Sequence, residues 1–224
     1  MNVYNFILEA SSFEKGLGNI KRWCENKSDN VKLRIYIPTY TLRELDFQRY
    51  KFKSFMARES LKFIEYIEDR NSSPKYHSDS LEIIIELPDF LDLVLWREVL
   101  EIAGEEHEEK LNKLPRRLKN LLKSCVHLCH LHVSDDYKWI LISEDNQVKE
   151  LARICKIPII SIVDADSALA RDMNKKSFKM SENFNKQIIK NGVAEETKQG
   201  KKIVKTNFDN TVYASRGNGV LWAP

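Results

Sequence analysis

Cysteine and glycine are both scarce in this chain, with four and seven examples in 224 residues. The thiols, Cys24, Cys125, Cys129 and Cys155, are too few and too scattered to staple a chain of this length. A disulfide scaffold is therefore excluded and reduced thiols are expected. No stretch approaches the roughly 18 consecutive apolar residues of a membrane span, so no membrane partner is expected. The opening MNVYNF lacks the basic and apolar regions of a signal peptide, so an intracellular protein is expected. Internal repeats and low-complexity blocks are missing as well.

Charge is also missing on the whole, but not locally. The formal net charge is +3. From Met1 to Met173 there are 26 Lys plus Arg against 29 Asp plus Glu, a net −3; from Asn174 to Pro224 the balance is 10 against 4, a net +6. Four of the seven glycines, Gly192, Gly200, Gly217 and Gly219, fall in that basic tail. The shift in composition predicts a compact domain over residues 1–170, a helical and basic linker over 171–206, and an extended arm over 207–224.

Within the first part, apolar strands alternate with helical periodicity. The segment YNFILEASSF, from Tyr4 to Phe13, reads as a buried strand that delivers Glu9 at its end, with Ser11 or Ser12 capping a helix through Lys21 and Trp23. Leu33 to Ile37 is a second strand stopped by Pro38. A helix capped by Thr39 or Thr41 carries Glu44, Leu45 and Phe47. Another, from about Ser54 to Asp69, places Phe55, Leu61, Ile64 and Ile67 near one face. Leu81 to Leu87 is a third strand, and Asp89 to Ile102 has helical spacing through Leu93, Trp96, Val99 and Leu100. Leu114 to Leu131 is an amphipathic helix with Pro115 in its first turn. Trp139 to Ile142 is a fourth strand, Gln147 to Cys155 a helix, Ile159 to Val163 a last strand, and Asp164 or Asp166 the cap of a final helix. This alternation predicts an α/β fold with a parallel sheet covered on both faces.

Three positions then offer carboxylates near strand ends: Glu9, Glu44, and Glu144 with Asp145. In a doubly wound sheet they can converge on one rim. Such acids either hold Mg²⁺ or Mn²⁺ for phosphodiester hydrolysis or are solvated charges and helix caps. The group Cys125, His127, Cys129, His130 and His132 is a candidate zinc cluster. Cys125 and Cys129 nevertheless lie on the apolar stripe of their helix, so core thiols are the expectation. Arg116, Arg117, Lys119 and Lys123 form a basic helix face able to hold RNA phosphates, or simply a solvated face. In the arm, Phe208, Tyr213, Arg216, Gly217, Gly219, Leu221 and Trp222 combine interface-forming side chains with two potential bends. They either order on a partner or fold back over the chain's own domain.

The segments FILEAS, TLREL, LKNLLKSCVHLC and ISEDNQVKELA, in that order and spacing, resemble the motifs of a PIN domain over roughly residues 1–170. With NTVYASRGNGVLWAP included, the whole chain is similar to fungal PIN-type factors of nonsense-mediated mRNA decay. The resemblance implies a PIN-like α/β/α sandwich with a central parallel sheet and a C-terminal extended arm. It also implies a cytoplasmic factor that binds the up-frameshift RNA helicase. Active PIN domains use three or four acids and a divalent metal to cut single-stranded RNA. By that resemblance Glu9 stands where an Asp is usual, Glu44 and Asp145 keep their acids, and Asn120, near Lys119 and Lys123, replaces an Asp. Losing a carboxylate and gaining positive neighbours weakens metal binding. The expectation is a vestigial acidic site of Glu9, Glu44, Asn120 and Asp145 with no cofactor, Mg²⁺ or Mn²⁺ entering only if the site is active. A non-catalytic adaptor is expected, with a metal-dependent endonuclease or a passive RNA-binding module as the alternatives.

Overall fold

A computed structural model describes residues 2–25, 31–68, 79–131 and 138–173, with the backbone of 195–196 and 202–203. The chain divides into two units, Met1–Lys175 and Lys176–Pro224. In the second, β6 (Glu195–Glu196) and β7 (Lys202–Ile203) pair antiparallel. Every partner-binding position expected in the arm, from Phe208 to Trp222, lies outside the described residues, as does His132.

The first unit is built on β1 (Asn2–Leu8), β2 (Val31–Ile37), β3 (Leu81–Ile85), β4 (Trp139–Ile142) and β5 (Ile159–Ile160). They form one sheet in the order β3-β2-β1-β4-β5, and every pairing in it is parallel. Side-chain alternation splits the core into two layers. Phe6 and Leu8 of β1, Leu33, Ile35 and Ile37 of β2, and Ile142 of β4 join one cluster. Ile7, Tyr36, Trp139 and Leu141 point to the other. Helices cover both faces, as the apolar runs require. The first face receives α1 (Ala10–Glu25), α3 (Phe55–Glu68) and α8 (Ile162–Met173). On the second lie α4 (Trp96–Ala103), the short α5 (Glu108–Asn112), α6 (Arg116–Val126) and α7 (Asn146–Ile154). Between β2 and α3, α2 (Thr39–Lys51) sends Leu45 to one cluster and Tyr40 to the other. Full burial of a side chain such as Phe6 contributes about 2 kcal/mol.

Several helix starts differ from the sequence expectation because other carboxylates and hydroxyls, some near and some distant in sequence, take the capping work. At α1 the cap is Glu9 itself, whose Oε2 accepts the Ser11 amide, while Ser12 Oγ turns back to the Glu9 carbonyl. Neither Thr39 nor Thr41 caps α2. The Thr39 amide donates to Glu86 Oε2 at 2.7 Å, and Thr41 Oγ1 donates to the Leu8 carbonyl at 2.8 Å. Glu86, at the end of β3 and 4% exposed, also accepts the Tyr36 hydroxyl at 2.9 Å. It is thus a buried N-terminal anchor for α2.

The fifth strand is cut to two residues because Ser161 begins α8. Ser161 Oγ accepts the Asp164 amide and donates to the Asp164 carboxylate, a reciprocal capping pair. Asp166 is no cap; it accepts from Arg22 and from Trp23 Nε1 on α1. The expected helix over Asp89 to Ile102 is a 3₁₀ turn, Pro88–Asp92, followed by α4. Pro88 removes an amide donor there, and Leu93 is left 77% exposed. The long helix after Pro115 ends its α-helical hydrogen bonding at Val126 and continues as a π-helical turn, His127–Leu131. Phe55, expected near one face with Leu61, Ile64 and Ile67, is exposed, as is Phe47. Gly16 lets α1 and α8 meet closely, since a Cβ there would lie 2.3 Å from Ile162 Cγ1.

Candidate functional site

From β1 the chain steps one way to β2 and β3 and the other way to β4 and β5. The carboxyl ends of β1 and β4 therefore flank a topological switch point, where α/β sheets open a crevice. Glu9 follows β1 and Ser143-Glu144-Asp145 follows β4. Glu44 and Tyr40 arrive on α2, and Arg117 and Asn120 on α6.

Glu9 is 2% exposed. Its Oε2 accepts the Ser11 amide at 3.0 Å, the Ser143 hydroxyl at 2.9 Å and the Ser11 hydroxyl. Burial pushes its pKa up; the hydrogen bonds from Ser11 and Ser143 oppose that rise, and the charge of Asp145 adds to it. Ser11 Oγ in turn accepts the amides of Glu144 and Asp145 at 2.8 and 3.2 Å, which clips the β4–α7 turn onto the start of α1. Asp145 is the N-cap of α7, its Oδ1 accepting the Val148 amide at 3.0 Å. Glu144 turns away from the crevice, to the Ile162 amide at 2.7 Å and Lys149 Nζ at 3.2 Å. Of that acidic pair, Asp145 is the member whose charge reaches Glu9 and Tyr40.

Glu44 is paired. Its Oε2 lies 2.8 Å from an Arg117 guanidinium nitrogen, with the Glu44 side chain 17% exposed. Tyr40 senses the whole group: burial, then the charges of Glu9 and Glu44, push its hydroxyl pKa up, Arg117 opposes and Asp145 adds. Sequence reasoning missed Tyr40, Ser11 and Ser143, and it placed Arg117 on an RNA-binding face rather than opposite Glu44. One signal was available for Arg117, which precedes Asn120 by three residues and so shares its helix face.

The remaining basic residues of α6 are partly engaged nearby. Lys119 Nζ donates to the Asn112 carbonyl and sits 5.1 Å from the Trp96 ring, and Lys123 Nζ donates to the Leu91 carbonyl. Arg116 is exposed. The zinc candidates are dispersed in the same helical stretch. Cys125 is fully buried and its thiol pKa is pushed well up by that burial. Cys129 Sγ faces the Trp139 carbonyl and its pKa is raised by burial to about 12. His130 Nε2 meets the Cys155 carbonyl, and the His127 ring packs edge-on to Phe90.

Among the described residues, no group of three or more His, Cys, Asp or Glu side chains is arranged to hold a metal ion. A divalent cation at this rim would compete with Arg117 for Glu44 Oε2, with hydroxyl and amide donors for Glu9 Oε2, and with the Val148 amide for Asp145 Oδ1. No described helix is long and apolar enough to cross a membrane.

Comparison with known proteins gives a consistent result. Residues 177–211 match the C-terminal domain of nonsense-mediated decay protein 4. The chain is 52% identical over 224 residues to nonsense-mediated decay protein 4 of Saccharomyces cerevisiae, covering 100% of both chains. Identity is 50% to the Candida glabrata protein of the same name, again over 100% of both. It is 35% to that of Kluyveromyces lactis, over 99% of this chain and 97% of the relative. The chain therefore belongs to the nonsense-mediated decay protein 4 family.

Proposed function

We propose that this chain is a non-catalytic PIN-type adaptor of nonsense-mediated mRNA decay. It acts in the cytoplasm and binds the up-frameshift RNA helicase mainly through residues 207–224, modulating the helicase's ATPase or RNA cycle. The observation that carries the non-catalytic part is the Glu44–Arg117 pair at 2.8 Å. A guanidinium is permanently charged and already supplies the positive partner that a metal would otherwise provide. Glu9 and Asp145 are engaged by neutral donors instead, serine hydroxyls and a helix amide. The PIN assignment is supported by the strand order β3-β2-β1-β4-β5, which brings the motif acids to one rim.

Two experiments test this reading. Full-length protein with Mn²⁺ and single-stranded RNA is expected to give no cleavage above that of the Asp145→Asn variant; cleavage abolished by Asp145→Asn refutes the non-catalytic part. In the second, full-length protein is expected to retain the helicase in a pull-down, and a version ending at Thr206 to lose most of it. Arg216→Ala and Trp222→Ala should each weaken binding by about 2 kcal/mol, roughly thirtyfold. Equal retention by the shortened protein refutes the role of the arm.

A further inference from the structure

The corner between α2 and α3 carries a surface that the adaptor reading leaves unused. From Phe47 to Arg58 the chain reads FQRYKFKSFMAR, with cations at Arg49, Lys51, Lys53 and Arg58 and no carboxylate. Four rings are interleaved with those cations, and all four face outward: Phe47 is 40% exposed, Tyr50 63%, Phe52 65% and Phe55 61%. Rings of this size normally end in a core, so four left in water within twelve residues need an explanation.

Each ring lies beside a positive charge. The Arg49 guanidinium is 4.6 Å from the Tyr50 ring, Lys51 Nζ is 5.2 Å from Phe47 and 5.8 Å from Phe52, and the Arg58 guanidinium is 5.2 Å from Phe55. Arg49 also pairs with Asp46 at 2.6 Å, and Arg58 approaches Glu59 at 3.8 Å. Lys51 and Lys53 have no ion-pair partner among the described residues. Lys53 holds φ at 54°, the left-handed region where glycine is the ordinary choice, so the turn keeps a cation where a small residue would be easier. The corner is separate from the acidic rim. At about 1.5 Å per helical residue, Lys51 lies about 10 Å along α2 from Glu44.

Phe47 and Phe52 pack edge to face at 5.7 Å, and each of the four rings keeps 40% or more of its surface exposed. Cations interleaved with exposed rings match one ligand chemistry best. Single-stranded RNA offers a phosphate for every base and leaves its bases unstacked, whereas a duplex hides them and an acidic peptide has few rings to offer. We propose that the α2–α3 corner is a platform for single-stranded RNA, with Tyr50, Phe52 and Phe55 stacking bases while Arg49, Lys51, Lys53 and Arg58 hold phosphates. The platform does not depend on the adaptor reading, and it leaves the acids of the crevice uninvolved.

The test is fluorescence anisotropy of a labelled twelve-nucleotide oligo(U) with the full chain. Tyr50→Ala/Phe52→Ala is expected to weaken binding by roughly tenfold or more with an unchanged salt slope. Lys51→Gln/Lys53→Gln is expected to make the slope of log affinity against log salt shallower by about 1.4, at roughly 0.7 per phosphate contact. Because these side chains are exposed, both variants should melt with the wild type. Tyr50→Leu/Phe52→Leu, which keeps apolar volume without a π-face, should weaken binding as the alanine pair does. Wild-type affinity in both double variants overturns the platform, and so does full retention by the leucine pair. Unchanged oligo(U) affinity with loss of helicase in the pull-down also overturns it, by making the corner a protein contact.

Discussion

The acidic crevice and the α2–α3 corner use similar numbers of charged groups to opposite ends. In the crevice each carboxylate meets its partner inside the chain: Glu9 with Ser11 and Ser143, Glu44 with Arg117, and Asp145 with the Val148 amide. At the corner Lys51 and Lys53 stand exposed, with Lys51 over the exposed Phe47 and Phe52 rings. The lesson is that an acidic cluster at a strand-end rim is not by itself a reactive site. What counts is whether its charges remain free for a ligand. In the crevice they tie strands and helices together, so substitutions there should register in folding stability or its pH dependence; at the corner they should register as lost binding.

Four substitutions sharpen that contrast, from the largest expected effect downward. Glu86→Ala removes a buried carboxylate from the same rim and orphans the Tyr36 hydroxyl and the Thr39 amide. Urea unfolding is expected to show a loss of about 3 kcal/mol. Arg117→Ala leaves Glu44 without its counter-charge, but the guanidinium side chain is 56% exposed, so solvent screening limits the loss to about 1 kcal/mol.

Glu9→Gln acts through pH. Burial holds the folded-state pKa of Glu9 above its ordinary value of 4.5, so the folded protein binds the proton more tightly than the unfolded chain does. The stability this contributes is complete below 4.5 and is lost as pH rises through the folded pKa. Unfolding measured between pH 4 and 7 should therefore show a steeper decline in wild type than in Glu9→Gln. Tyr50→Ala/Phe52→Ala should change stability least, by about 0.5 kcal/mol or less. A large loss there would mean that the corner is structural after all.

Much of the sheet was legible in the sequence, because β1, β2 and β4 alternate between two apolar layers and their runs are bounded by polar turns. The helix caps were not. Glu86 takes the role that local patterns assigned to Thr39 or Thr41 and reaches across 47 residues, Glu144 adds an acceptor for the Ile162 amide across 18 residues beside the local Ser161–Asp164 pair, and Glu9 takes the place of Ser11 or Ser12. Such long-range partners have no signature in a local window. The acids themselves were legible, but their neutralisation was not, since Arg117 and Glu44 are 73 residues apart. Sequence reasoning missed the corner, although FQRYKFKSFMAR carries its rings and cations side by side. Helical spacing placed Phe55 near an apolar face, because periodicity alone does not say which end of a helix the core covers.

Electron paramagnetic resonance of Mn²⁺ titrated into the full chain at neutral pH tests the central claim most directly. If the crevice charges are already matched, wild type and Asp145→Asn should leave the same Mn²⁺ signal free in solution. Stoichiometric Mn²⁺ uptake by wild type that Asp145→Asn abolishes would contradict it.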